Sequence, residues 1–445
     1  MTRTLPHRGA QYIAPAAYLL RRWALCSLTA LLLLTLPAFS PSGLAQPEAY
    51  GERYVRSGAS WPGEAPSPLP PLEPLAPSEL AALELRVEAL ELAQGPFSGG
   101  LSEVLGDLAR GLEASGKLSE ANAVRERALH LARVNEGLNS PVQLPLLRSQ
   151  LQSDRRRGDF ETLDSRYDYY WRLLGRGQTP LTPLRFTAAL EYQRWQREAL
   201  RRRLDAGVSE RMSQLLELGT ELLDTLQLSA DLDPRQLREA TLSQLRNYYL
   251  FASLVQPPVE SYSPRSGFRQ PRFLNEDIDG WDPQREKLEN RRRGLRREGE
   301  ELLGEQLERT SEPQLRGELL LALGDWAQWW EDPDEALQAY SRCWDVMRES
   351  GQQALVASWF AEPRPLPDSG VFLAPEEPLI SGVPMDVEVD ARGRASGDLL
   401  VDADTLPRDA RRLPRLIRDT RFRPAMRDGV PVAQRFSEIR FDVFD

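Results

Sequence analysis

The sequence predicts a mainly α protein, an array of helical hairpins followed by a small C-terminal α+β domain of order strand, strand, helix, strand. Three observations carry that reading. From Ser78 to about Ser350 apolar residues recur at three- and four-residue intervals between short Gly- and Pro-containing stops. From Met385 onward the period switches to two. The 445 residues exceed one ordinary core and call for two or three domains.

Residues 1–45 have the three parts of an export signal. Arg3, Arg8, Arg21 and Arg22 form a positive region, Trp23 to Leu36 an apolar run ended by Pro37, and Gly43-Leu44-Ala45 a small-residue cleavage site before Gln46. A spanning helix needs about 20 apolar residues, so the run is read as a cleaved signal, with a retained anchor as the alternative. Cys26 lies inside the apolar run and is not placed for lipid attachment. The expected location is the periplasm, with no stable membrane anchor after signal cleavage.

Residues 46–77 form a spacer dense in proline between Pro62 and Pro77, stiff and without an apolar face to bury. Helical grammar begins at Ser78, read as an N-cap, with Leu80, Leu83, Val87 and Leu90 on one face and Gly95-Pro96 as the stop. Helical stretches then alternate with breaks at Gly116-Lys117, Gly158-Asp159, Gly175 to Pro183, Gly207 and Asp233-Pro234. An irregular insert spans 256–282, and helices resume from Pro283 to about Glu349.

In 105–133, Leu105, Ala109, Leu112, Gly116, Ala121 and Ala128 stand at the spacing of a helical hairpin. Small residues at 109, 121 and 128 permit close approach, and Leu112 and Leu118 fill the seam. Leu323-Gly324, Ala336, Tyr340 and Cys343 repeat the grid, and Gly158-Asp159-Phe160 with Tyr167 make a degenerate third copy. Gly116 and Gly158 are 42 residues apart. The region 78–350 resembles tetratricopeptide repeats, whose unit is 34 residues. That resemblance implies a solenoid whose concave face binds proteins or peptides.

After a linker over 351–380, Met385, Val387 and Val389 alternate with Asp386, Glu388 and Asp390 as a half-buried strand. Ala391-Arg392-Gly393-Arg394 reads as its hairpin turn, and Leu399 to Val401 belong to the return strand. Asp404 or Thr405 with Pro407 marks a helix start. The last strand, Arg435 to Val443, places Ser437, Ile439, Phe441 and Val443 on one face and Glu438, Arg440 and Asp442 on the other.

The stretch from Arg421 to Val432, RFRPAMRDGVPV, resembles the C-terminal domain of TonB-type energy transducers. In that family a helix ends in an aromatic, Pro-Ala follows, and an Asp/Asn-Gly-x-Pro-Val turn launches the last strand. Phe422, Pro424, Asp428, Gly429, Pro431 and Val432 match it, and Val387 to Arg394 match the family's first hairpin. The resemblance covers 381–445. It implies that an extended partner peptide of the cell envelope adds to the last strand's edge at Arg435, Ser437, Ile439, Phe441 and Val443. The same edge could join two copies as a homodimer. The motif residues also explain themselves structurally, as turn and core. Residues 370–384 lack the family's Tyr-Pro segment, and Pro414 requires the helix to begin there or to be short or kinked. The leader's His7 precedes the apolar run, whereas a transducer needs a histidine inside a retained anchor.

With 56 Lys+Arg against 66 Asp+Glu the formal charge is −10, and the leader holds four arginines and no acid, so the body is more acidic still. An acidic surface repels phosphate backbones, and no nucleic acid is expected despite the Arg-aromatic run from Tyr262 to Phe273. With Cys26 in the leader, Cys343 is alone in the body and is read as a buried small side chain. His7 and His130 are too few for a histidine metal site. Asn275, Asp277, Asp279, Gly280 and Glu286 approach a calcium-loop pattern, but Asp282-Pro283 capping a helix accounts for the same letters. Trp326, Trp329 and Trp330 are read as core and Arg291-Arg292-Arg293 as a solvated helix face. No nucleophile elbow, phosphate loop or zinc motif is present, so no catalytic, cofactor or metal residue is named. The expected function is a periplasmic, non-catalytic adaptor. An energy transducer acting on outer-membrane receptors in transmembrane transport is the alternative.

Overall fold

Hydrophobic periodicity becomes helix wherever it is sustained. The computed structural model describes residues 55–57, 74–202, 204, 208–229, 233–254, 283–366, 372–373, 382–407 and 410–443, which all fall in the contact unit Ala45–Asp445. The leader, most of the spacer, and the insert 256–282 with its calcium-like pattern from Asn275 to Gly280 lie outside the described residues.

The first described helices are α1 (Pro77–Gln94), α2 (Leu101–Ala114) and α3 (Leu118–Glu136). The N-cap of helix α1 lies two residues before the expected Ser78. Ala76 is its N-cap, its N–H donating 2.8 Å to the Glu79 carboxylate, and Pro77 takes the first turn. The hairpin α2–α3 closes over Ala109, Ala121, Ala128 and Leu112, all buried as expected. Leu118 does not fill the seam. It starts α3 and is 44% exposed. Helices α4 (Leu144–Arg157) and α5 (Phe160–Leu173) realise the degenerate third copy, with Gly158 at φ 68° and Asp159 capping α5 at Thr162 N–H, 3.2 Å.

Helices α6 (Pro183–Arg202), α7 (Val208–Gln227), α8 (Pro234–Leu254) and α9 (Pro283–Arg309) follow. Next comes the hairpin α10 (Pro313–Trp329) and α11 (Pro333–Glu349), with Asp332 capping α11 at Glu335 N–H, 3.2 Å. Here Gly324 is the close-approach residue: a Cβ on it would lie 2.3 Å from Tyr340 Cε1. Cys343 is fully buried and its thiol donates 3.2 Å to the Gly317 carbonyl. Trp326 is buried and donates to the Arg296 carbonyl, 2.9 Å, inside one continuous apolar cluster that runs from α6 to α12 (Gln353–Trp359). Each large side chain fully withdrawn there contributes about 1.5–3 kcal/mol. Of the arginine run, Arg291 and Arg293 are solvated, but Arg292 is half-buried. Its guanidinium covers the Trp330 ring at 5.3 Å and donates to the Ala252 carbonyl, 3.1 Å.

The terminal region mixes an open sheet with one short helix. Its strands are β1 (Val55–Ser57), β2 (Arg364–Pro365), β3 (Phe372–Leu373), β4 (Val383–Val389), β5 (Ala395–Leu399), β6 (Phe422–Arg423), β7 (Ala425–Arg427), β8 (Val430–Val432) and β9 (Gln434–Val443). The main sheet has the order β3-β1-β9-β4-β5, and β2–β6 and β7–β8 form separate pairs. Met385, Val387 and Val389 are buried as the alternation requires and meet Ile417 and Leu413 from α13 (Leu413–Asp419). That helix does not begin at Asp404–Pro407. Residues 403–405 make a single tight turn capped by Asp402, and α13 starts only where Pro414 can occupy its first turn. The segment 351–380, read as a linker, contributes α12, β2 and β3, with Val356 and Phe360 buried in the helical cluster.

Candidate functional site: the outer strand and its anchorage

The site named from the sequence is the edge of β9, and its geometry starts with a bulge. Against β4, Met385 pairs with Ile439 and Val387 with Phe436, so Ser437 and Glu438 both face the single residue Asp386. Glu438 takes φ 57° there. The Asp386 carboxylate holds the bulge from the partner strand, accepting from Glu438 N–H at 3.0 Å and from Arg435 Nη2 at 2.6 Å. The hydrogen bond from Arg435 keeps the Asp386 carboxyl below the usual carboxylate range. The extra residue changes the phase of the strand. Ile439 and Phe441 are buried as expected, but Ser437 is exposed and Phe436 is the residue that packs on the sheet core. Arg435 is exposed beside Asp386.

The side of β9 away from β4 is not bare at its end. Strand β1 lies there antiparallel, with Val55 opposite Val443, Arg56 opposite Asp442 and Ser57 opposite Phe441. Strand β3 adds in parallel to the far side of β1. The open edge expected over Arg435 to Val443 is therefore occupied at Phe441–Val443 by the chain's own backbone.

In the motif from Phe422 to Val432, Phe422, Pro424, Ala425 and Met426 are buried, and Arg427, Asp428 and Val430 are exposed. Phe422 is buried in the sheet core and Pro424 is buried after it. Asp428 (φ 51°) and Gly429 (φ 81°) close a two-residue hairpin between β7 and β8, in which Met426 pairs with Pro431 and Ala425 with Val432. Two positive φ values in succession explain Asp-Gly. A Cβ on Gly429 would stand 3.0 Å from Trp344 Cδ1, because the hairpin tip is seated on α11. Met426 joins the helical cluster, and its N–H donates 2.9 Å to the Phe360 carbonyl.

Sequence reasoning missed the residue pair that fastens this seat. The Arg423 guanidinium forks onto Asp325 of α10, Nε to Oδ1 at 2.8 Å and Nη2 to Oδ2, and gives Nη1 to the Trp359 carbonyl at 3.2 Å. Tyr340 donates to the same Asp325 Oδ1 at 2.9 Å. The pair is 13% and 11% exposed. Burial lowers the Arg423 pKa, but the charge and hydrogen bonds of Asp325 outweigh it and hold the group above its ordinary value. Burial pushes the Tyr340 phenol well above its ordinary value and the Cys343 thiol up to about 12. At the rim, Gln328 donates 2.6 Å to the Arg392 carbonyl, Arg392 pairs with Asp334 at 2.8 Å, and Arg421 with Glu331. A signal did exist. Asp325 is a lone carboxylate in the apolar run from Leu319 to Trp330, and such a residue needs a partner.

A concavity of about 620 Å³ opens between α5, α6 and α7. Trp171 and Tyr192 stack at 5.2 Å on its wall, Tyr192 donates to Asp168 at 2.6 Å, and Arg172, Arg176, Glu217 and Glu221 ring the mouth. Among the described residues no group of three or more His, Cys, Asp or Glu could hold a metal, and no helix is long and apolar enough to cross a membrane. No family model matches the chain, and no curated protein matches it.

Proposed function

We propose that the protein is an exported, periplasmic, non-catalytic adaptor. Its tetratricopeptide-like helical array holds one envelope protein, and its TonB-C-like terminal sheet takes an extended segment of another by strand addition to β9. The observation that carries the reading is β1. A strand from a distant part of the chain adds antiparallel to the side of β9 away from β4, which supports this side as a receiver of extended backbone. The groove beside Trp171 and Tyr192 supports the array's role, since stacked aromatics ringed by charges of both signs suit a polar peptide.

A photo-crosslinking residue at Arg440, exposed on β9, compared with one at Leu92, 90% exposed on α1, tests the sheet's role in cells. Adducts with an extended segment of an envelope protein from position 440 alone are expected. The same adducts from both positions, or none from 440, would remove strand addition from the account.

A further inference from the structure

We propose that Val55–Ser57 is a built-in competitor for the partner-binding edge, so that an extended ligand binds β9 by displacing the chain's own β1. This rests on the strand-addition reading above and adds its regulation. The register is the first argument. Strand β1 runs antiparallel to β9 through Val55–Val443, Arg56–Asp442 and Ser57–Phe441, the place a ligand strand would take at this end of the edge.

Length is the second argument. Strand β1 pairs through three residues, whereas the ladder between β4 and β9 runs from Val383–Phe441 to Val389–Gln434. A three-residue strand makes few ladder hydrogen bonds, each of modest net worth, and can be exchanged for a longer one. Connectivity is the third. Between β1 and α1 the sequence places Pro62, Pro66, Pro68, Pro70, Pro71 and Pro74, a composition that favours an extended tether over a packed connection. Among the described residues, β1 pairs with its two neighbours in the sheet, β9 and β3. A binding-competent state populated one-tenth of the time weakens the apparent affinity roughly tenfold, and removing the competitor restores it.

The test uses the intact protein and Arg56→Pro, in which the missing N–H and fixed φ disfavour β1. Backbone exchange and ligand binding are read separately. Amide hydrogen exchange at Phe441–Val443 is expected to be slow in the intact protein and faster in Arg56→Pro, while Met385–Val389 stay protected. The ligand probe is a fluorescent peptide of residues 50–60, YGERYVRSGAS. It is expected to bind Arg56→Pro roughly tenfold more tightly than the intact protein. Unchanged exchange at Phe441–Val443 would overturn the inference by showing that β1 does not guard the edge. Faster exchange with equal peptide binding to both proteins would overturn the competition and leave strand addition standing. Faster exchange with binding to neither would overturn both, because the edge then takes its own strand only when tethered.

Discussion

Removing the Arg423 side chain tests the claim that a buried ion pair, Arg423–Asp325, helps fasten the terminal sheet to the helices. In Arg423→Met, Asp325 loses both guanidinium hydrogen bonds and keeps the Tyr340 hydroxyl, inside a site where both partners are close to nine-tenths buried. Stripping one member from such a pair leaves an uncompensated carboxylate and costs about 3–5 kcal/mol. The rim pair Arg392–Asp334, exposed on both sides, gives the internal comparison: Arg392→Met is expected to cost about 0–1 kcal/mol. Urea unfolding followed by tryptophan fluorescence reads both, since Trp344 lies against the hairpin tip at Gly429 and Trp326 in the same apolar cluster as Met426. The triple variant Asp325→Leu/Tyr340→Phe/Arg423→Met replaces the whole network by apolar groups and is expected to recover most of the loss. A cost below about 1 kcal/mol for Arg423→Met, or a triple variant no more stable than the single one, would refute the argument.

Four other outcomes are expected. Gly393→Ala is expected to be more damaging than Gly429→Ala in urea unfolding, although each forces a positive φ at about 1–2 kcal/mol. At 393 the new Cβ meets the Phe422 carbonyl at 2.1 Å, whereas at 429 it meets the Trp344 ring at 3.0 Å. The Asp386 contact to Glu438 N–H depends on a carboxyl whose pKa is lowered in the folded protein, so its contribution is complete above the unfolded value of about 3.9 and lost as pH falls through the folded value. The protection factor of the Glu438 amide, its exchange rate corrected for the intrinsic pH dependence, should therefore stay high at pH 5 and fall in stronger acid, and Asp386→Asn should remove that acid dependence. Cys343, buried and raised to about 12, is expected to resist alkylation at pH 8 until the protein unfolds; mapped labelling of the native protein at a free-thiol rate would contradict this. Sequencing the exported protein is expected to give Gln46 first, and recovery of the leader in the inner membrane would favour the transducer alternative.

The sequence made local features legible and left the distant ones hidden. Ala109, Ala121, Ala128, Gly324 and Cys343 could be placed because helix-seam spacing is set within a few turns, and Met385, Val387 and Val389 because alternation fixes a strand face. Pro414 restricted the helix to a late start, a short length or a kink, and α13 is both late and short, whereas the start signal at Asp404–Pro407 misled. The phase error at Ser437 has another origin: the bulge depends on a carboxylate that arrives from β4, and nothing inside Arg435–Val443 announces it. Arg423 and Asp325 are 98 residues apart, and β1 reaches β9 from the opposite end of the described chain. Each of these choices depends on which surfaces meet.

That distinction decides how the edge must be probed. Ending the chain at residue 380 looks like a clean removal of the terminal domain, but Met426 belongs to the helical cluster with Phe360 and Trp344. Such a truncation also takes Arg423 away from Asp325 and exposes the face of α11 on which Gly429 rests. Partners lost on truncation could then reflect damage to α10–α12 as readily as loss of β9. Substitutions confined to the edge avoid this, because Arg440 and Arg435 are solvent-facing and neither touches the junction. A change of partners produced by an edge substitution that leaves urea unfolding unaltered is attributable to β9 itself.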